Sequence, residues 1–178
     1  EAKAEAHRAG HLFKYFAAEA YRATGDTYQS LREGVSLKVL REPIGVVGVI
    51  TPWNFPLAIP AWKIAPALAY GNTVVFKPAE LVPGSAWMLS DIIARAGLPE
   101  GVFNLVMGKG REVGEAIVTH PKVSGVTFTG STPVGRNTGA ALFARGAKMQ
   151  LEMGGKNPLV VLEDADLDLA VHCALQGS

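Results

Sequence analysis

The 178 residues are 48% apolar and 19% charged, the balance of a folded globular chain with a packed core rather than of a disordered segment. A formal net charge of +1 gives no electrostatic footprint for nucleic acid or an acidic membrane, and no apolar run is long enough to span a bilayer. The single cysteine, Cys173, excludes an internal disulfide and fits a reducing compartment, so a cytoplasmic location is expected; no metal site is assigned.

Residues 1–23 are rich in helix formers. Leu12, Phe13, Phe16, Ala20 and Tyr15 recur at three- and four-residue spacing, which predicts a helix with one apolar face. The polar stretch 24–34, with Gly25-Asp26, reads as a loop. Apolar and polar residues alternate over 35–40, so 35–43 is expected to form a half-exposed β arm. After Pro43, residues 44–50 are continuously apolar, the mark of a strand buried inside a sheet.

From there the pattern repeats. Helix 57–69 ends at Gly71 and is followed by strand 73–77; helix 84–96 stops at Gly97 and is followed by strand 102–106. Helix 111–120 leads to strand 123–128, a Gly-rich turn, another helix, strand 148–151, and a last helical pattern over 167–177. Strands alternating with helices predict an α/β chain with a Rossmann-like open parallel sheet covered by helices on both faces. The expected organisation is an N-terminal helix and loop (1–34), the arm (35–43) and the sheet domain (44–178). The chain opens without Met in one helical run and closes in another, so a piece of a longer protein is expected.

Two stretches near the end carry chemistry. Strand 123–128 runs into Gly130-Ser131-Thr132-Pro133-Val134-Gly135, in which Gly permits a tight turn, Ser or Thr can cap a helix, and Pro is tolerated in its first turn. The free N–H groups of such a helix start attract a phosphate. The stretch is not a G-x-G-x-x-G fingerprint, since Ser131 and Thr132 interrupt it, and no Gly-Lys-Ser/Thr triplet makes a P-loop. Strand 148–151 leads into Glu152-Met153-Gly154-Gly155-Lys156, which sets a carboxylate beside two glycines: a candidate acid or base, or a surface carboxylate. Right-handed crossovers place every loop that follows a strand on one edge of the sheet, so loops 51–56, 77–80, 108–110, 130–135 and 152–158 should gather there.

Thr51-Pro52-Trp53-Asn54-Phe55-Pro56, Lys77-Pro78-Ala79-Glu80, Phe128-Thr129-Gly130-Ser131-Thr132 and Leu151-Glu152-Met153-Gly154-Gly155-Lys156, in this order, resemble the aldehyde dehydrogenase superfamily. The resemblance implies the cofactor-binding part of a homodimeric or homotetrameric enzyme that oxidises an aldehyde to a carboxylic acid with NAD, NADP being possible. The stretches 77–87 and 164–178 are most similar to the branch acting on small semialdehydes such as α-ketoglutaric semialdehyde. In such enzymes a thiolate adds to the aldehyde, hydride leaves for the nicotinamide, and water hydrolyses the thioester.

The resemblance implies that Asn54 is the oxyanion amide and Glu152 the base that activates water; from its residues alone, Asn54 could equally organise a Pro-bracketed turn. Lys77 and Glu80 resemble the pair that holds the adenosine ribose, the alternative being an exposed ion pair of little value. A carboxylate there repels a 2′-phosphate and favours NAD. Gly130 and Ser131, with Phe128 before them, are similar to the residues facing the pyrophosphate, with Val134 near the adenine. Gly110 and Gly114 stand where a cofactor passes close to the backbone, Ile50, Pro52 and Trp53 line its channel, and Gly154 leaves room for the nicotinamide half. The nucleophilic cysteine of the family falls beyond Ser178. Cys173 comes too early and sits in an apolar helical pattern, where a buried, inert thiol is expected. A nucleotide-binding module without catalysis is the alternative function.

Overall fold

The computed structural model describes residues 2–177. Helix α1 (Ala2–Ala20) is followed by strands β1 (Asp26–Gln29), β2 (Ser36–Val39) and β3 (Val46–Ile50), helix α2 (Ala58–Ala69) and strand β4 (Thr73–Lys77). Helix α3 (Pro83–Arg95), strand β5 (Phe103–Leu105), a π-helical turn (Gly110–Gly114) and helix α4 (Glu115–Thr119) come next. The chain then forms β6 (Val123–Gly130), α5 (Thr132–Ala144), β7 (Lys148–Met153) and α6 (Leu167–Gly177).

The five apolar runs from β3 onward pair in the order β5-β4-β3-β6-β7, every neighbour parallel, as the alternation of strands and helices predicts. The chain travels outward from β3 to β5, then crosses back to lay β6 and β7 on the other side. The place where direction reverses lies between β3 and β6, the crevice at which open α/β sheets receive ligands.

Alternate side chains of each strand divide the core in two. Val47, Val49, Val74 and Phe76 pack with Ile64 of α2 and with Leu89 and Ile93 of α3 on one face. Val126 and Phe128 pack with Ile117 and Val118 of α4 and Leu142 of α5 on the other. Helix α1 lies along α2, with Ala9 buried and Phe13 reaching the first core. Gly48 in the middle of β3 is required by this packing, because a Cβ there would stand 2.4 Å from Ile117 Cγ2. Gly71 (φ 78°) and Gly97 (φ 82°) follow α2 and α3 in the left-handed conformation that ends helices.

Four expectations need correction. The stretch read as a loop at 24–34 contains β1, which pairs antiparallel with β2 from Asp26↔Val39 to Gln29↔Ser36, so the arm is a hairpin and not one strand. All eight hairpin residues are exposed, and four residues without a buried face leave no alternation to read. The helix expected over 111–120 begins as a π-helical turn, where Glu115 N–H donates to Gly110 O. Strands β6 and β7 run further than predicted, to Gly130 and Met153, which puts Glu152 in register with Thr129 inside the sheet and not in the turn. Finally, α6 forms where expected but has no buried residue, and Cys173 is exposed. Periodicity reports an apolar face and is silent on what covers it.

Candidate active site at the carboxyl edge of the sheet

Strand β4 delivers Lys77 to the edge on the same face as Val75. Its residue is buried (4% exposed), and Nζ donates to Pro78 O at 2.9 Å. Burial holds this ammonium below the ordinary lysine range, an effect the nearby charge of Glu80 partly offsets. The exposed ion pair considered for Lys77 and Glu80 does not form. Glu80 Oε1 instead accepts the Gly110 N–H at 2.9 Å, so a carboxylate from the loop after β4 caps the π-helical turn after β5. Gly114 is buried against Lys77, with a Cβ position 3.9 Å from Lys77 Cδ, whereas the space beside Gly110 is open.

Beside this corner, β6 enters α5. Ser131 stands at the N-cap with extended backbone, yet its side chain makes no capping bond, and it is exposed. Its hydroxyl and the first-turn N–H groups of α5 remain available to an anion. Val134 is 52% exposed one turn along. Phe128 stands near the end of β6, just before this turn. Only 3% exposed, it lies inside the second core, with its ring 2.5 Å from where a Gly130 Cβ would be. Phe128 therefore shapes the turn from beneath, and Gly130 is glycine because that ring fills the place of a side chain.

The loop after β3 carries Pro52, half-buried, and Trp53 and Asn54, both exposed, with Ile50 half-buried at the strand end. Thr51, 4% exposed, has a buried hydroxyl without a hydrogen-bond partner among the described residues. Helix α2, which follows, has no side-chain cap of its own because Leu57 occupies the cap position. Glu5 of α1 supplies one from a distance: its Oε1 accepts Leu57 N–H at 2.8 Å and Ala58 N–H at 3.0 Å.

Glu152 projects on the α2 side of the sheet and belongs to a network that the sequence did not reveal. Lys63 of α2 is buried (7% exposed), and its Nζ donates to Thr127 Oγ1 and Gln150 Oε1, each at 2.9 Å. Thr127 Oγ1 also donates to Gln150 Oε1, and Gln150 Nε2 donates to Glu152 Oε1 at 2.6 Å. Each donor fixes the next: Lys63 holds the Gln150 carbonyl, so the amide N–H₂ must face Glu152. Burial pulls Lys63 down to about 8, with the charge of Glu152 opposing the shift. These residues line a cavity of about 740 Å³ with Trp62, Ile59 and Thr129. Gly154, just beyond, has open space where a Cβ would be.

Residues 1–178 match the aldehyde dehydrogenase family. The chain is 51% identical over 178 residues to the alpha-ketoglutaric semialdehyde dehydrogenase of Bacillus subtilis, covering 100% of this chain and 36% of that protein. To retinaldehyde dehydrogenase 3 of Mus musculus it is 51% identical over 166 residues, 93% of this chain and 32% of that one. Among solved structures, the betaine aldehyde dehydrogenase of Staphylococcus aureus in complex with NAD+ superposes with a TM-score of 0.94 at 39% identity, over 97% of this chain and 34% of that one. An NADP-dependent enzyme of E. coli superposes with a TM-score of 0.94 at 44% identity, over 98% and 36%. The chain thus spans about a third of the length of the relatives it matches. With the family match running over residues 1–178 and the fold shared with solved members, the chain belongs to the aldehyde dehydrogenase family.

Proposed function

We propose that this chain is the cofactor-binding part of an enzyme that oxidises an aldehyde, a small semialdehyde above others, to a carboxylic acid with NAD, NADP being a second possible acceptor. On this reading residues 1–34 are an N-terminal helix and loop, 35–43 an arm, and 44–178 an incomplete NAD-binding domain. The observation that carries it is that Asn54, Lys77, Gly110, Gly130 and Glu152 arrive from five successive strands at one edge, around the switch point between β3 and β6.

The residues present fit a dinucleotide. A buried ammonium with hydrogens to spare, a carboxylate oxygen beyond the one given to Gly110, open glycine positions at 110 and 154, and an orphaned Thr51 hydroxyl are groups a polar, flat ligand would satisfy. Lys77 and Glu80 would hold ribose hydroxyls, and the negative charge of Glu80 would disfavour a 2′-phosphate. Ser131 and the N-terminus of α5 would take the pyrophosphate, with Val134 against the adenine. Ile50, Pro52, Trp53 and Gly114 would bound the channel. Bound there, the nicotinamide supplies the hydride acceptor.

Asn54 would donate its side-chain N–H to the oxygen on which charge develops, a bond stronger in the transition state than in the ground state. Glu152 would take a proton from water. Its acceptor oxygen is already aimed by Gln150, whose own orientation depends on Lys63. The nucleophile is assigned to a cysteine outside this chain, and Cys173 on α6 is not given the role. Assembly as a homodimer or homotetramer and a cytoplasmic location belong to the same proposal; no helix among the described residues is long and apolar enough to cross a membrane. The test is NAD-linked oxidation of a panel of aldehydes by the full-length protein. Turnover of at least one semialdehyde is the expected result, and no turnover of any member would overturn the reading.

A further inference from the structure

Every backbone donor at the start of α2 has a partner, and one of the acceptors comes from far away in the chain. Leu57 and Ala58 donate to Glu5 Oε1 at 2.8 and 3.0 Å, and Ile59 donates to Phe55 O at 3.3 Å. Position 60 is a proline with no N–H, and Ala61 donates to Leu57 O at 3.0 Å. Glu5 makes no ion pair among the described residues, so its charge goes to this helix start, where the dipole favours it. The local alternative is Asn54. It stands three residues before Leu57, the spacing at which a capping side chain accepts an N–H of the first turn, and Asn is among the best capping residues. Yet the Asn54 side chain caps nothing, is exposed and makes no hydrogen bond among the described residues.

Two side chains thus compete for one helix start, and the distant one holds it. The loop between β3 and α2 is tied at its first residue by Thr51 N–H to Lys77 O at 3.2 Å and at its last by Glu5, with Pro52 and Pro56 stiffening the path between. Resting on the function proposed above, we propose that Glu5 is a positioning residue for the oxidation: by capping α2 from α1 it keeps the Asn54 amide out of the helix start and free for the aldehyde oxygen. Without the Glu5 carboxylate the Leu57 and Ala58 N–H groups are orphaned, and the Asn54 side-chain carbonyl has the spacing to take them. An amide whose carbonyl is drawn into the cap no longer sets its N–H₂ where charge develops on the substrate oxygen.

The experiment is a double-mutant cycle on the full-length enzyme, with NAD and the semialdehyde of the panel that it turns over fastest, using Glu5→Ala, Asn54→Ala and the pair. Glu5→Ala is expected to lower kcat about tenfold to a hundredfold with little change in the NAD dissociation constant. Glu5→Gln, which keeps an acceptor oxygen, should recover most of that loss. On the Asn54→Ala background the same Glu5→Ala change should lower kcat about twofold or less, while the drop in thermal midpoint is the same on both backgrounds. Should Glu5→Ala fail to fold by circular dichroism, Glu5→Asp, which keeps the charge on a shorter arm, takes its place in the cycle. A lowered thermal midpoint with kcat unchanged would reduce Glu5 to a stabilising cap and overturn the proposal. So would an equal fold-loss of kcat with and without the Asn54 amide. Either result leaves the aldehyde dehydrogenase reading standing, whereas no oxidation of any semialdehyde by the unmodified enzyme would remove both.

Discussion

Lys77 and Lys63 are both buried lysines whose charge is disfavoured by their surroundings, yet they occupy opposite faces of one sheet and are held in different ways. Lys77 ends a strand. Its ammonium meets the carbonyl of the very next residue, and the acid that offsets its burial, Glu80, is three positions on. Lys63 sits in the middle of a helix and reaches across to β6 and β7, where Thr127, Gln150 and, through Gln150, Glu152 make its environment. The first is a local device suited to nucleotide binding. The second is a tertiary network suited to aiming a base. Burying an ammonium is costly unless its hydrogen bonds are replaced, and the chain replaces them by sequence neighbours in one case and by fold in the other.

The comparison makes the two sides separable by mutation. Asn54→Ala, on the side of the chemistry, should lower kcat of the intact enzyme by about a hundredfold to a thousandfold with little change in the NAD dissociation constant. A matched loss of NAD affinity would merge the two sides.

Lys63 should also leave a signature in stability against pH. Its folded value of about 8 lies below the ordinary 10.5, so burial of the charged form costs stability at and below pH 8. Between about 8 and 10.5 the unfolded chain holds a proton that the folded chain has released, so stability contributed by this group rises with pH, by about 3 kcal/mol over the whole interval. Denaturant unfolding of the enzyme and its Lys63→Met variant should show the difference between them growing over that window and staying flat below it. Gly48→Ala acts beneath both sides: the new methyl meets Ile117, and a destabilisation of about 2 kcal/mol is expected from thermal unfolding, without a change in nucleotide preference.

Lys77→Ala should give the smallest change, raising the dissociation constant for NAD about tenfold in calorimetry. On the proposed reading, in which the Glu80 carboxylate faces the 2′ position of the ribose, Glu80→Gln should shift the ratio of NAD to NADP affinity towards NADP.

The same pair shows what was legible before the fold was known. Lys77 could be found because it closes a β-rich run and heads a Lys-Pro-Ala-Glu stretch, so strand, turn and chemistry lie in one line of text. The sheet, its parallel sense and the gathering of the loops were legible for the same reason: hydrophobic period and turn residues are local signals. Lys63 stands between Trp62 and Ile64 in a helical run, where a lysine reads as a solvated surface group; only the register of β6 and β7 brings Thr127 and Gln150 to it. Glu5 escaped notice for a similar reason, since it caps a helix start more than fifty residues away. The burial of Phe128 was not legible, because an apolar residue at a strand end looks the same whether it faces a ligand or the core. A Ser or Thr at a helix start can cap it, but Ser131 does not cap α5, because extended backbone there permits that bond without requiring it.

The most direct test of the account is rapid-mixing kinetics of the intact Glu152→Gln enzyme with NAD and a semialdehyde. Glutamine can still accept the bond from Gln150 but cannot take a proton from water. The expected result is a burst of NADH stoichiometric with active sites, followed by steady turnover about a hundredfold or more below that of the unmodified enzyme. A burst that falls in the same proportion as turnover would place Glu152 before hydride transfer and contradict the role given to it here.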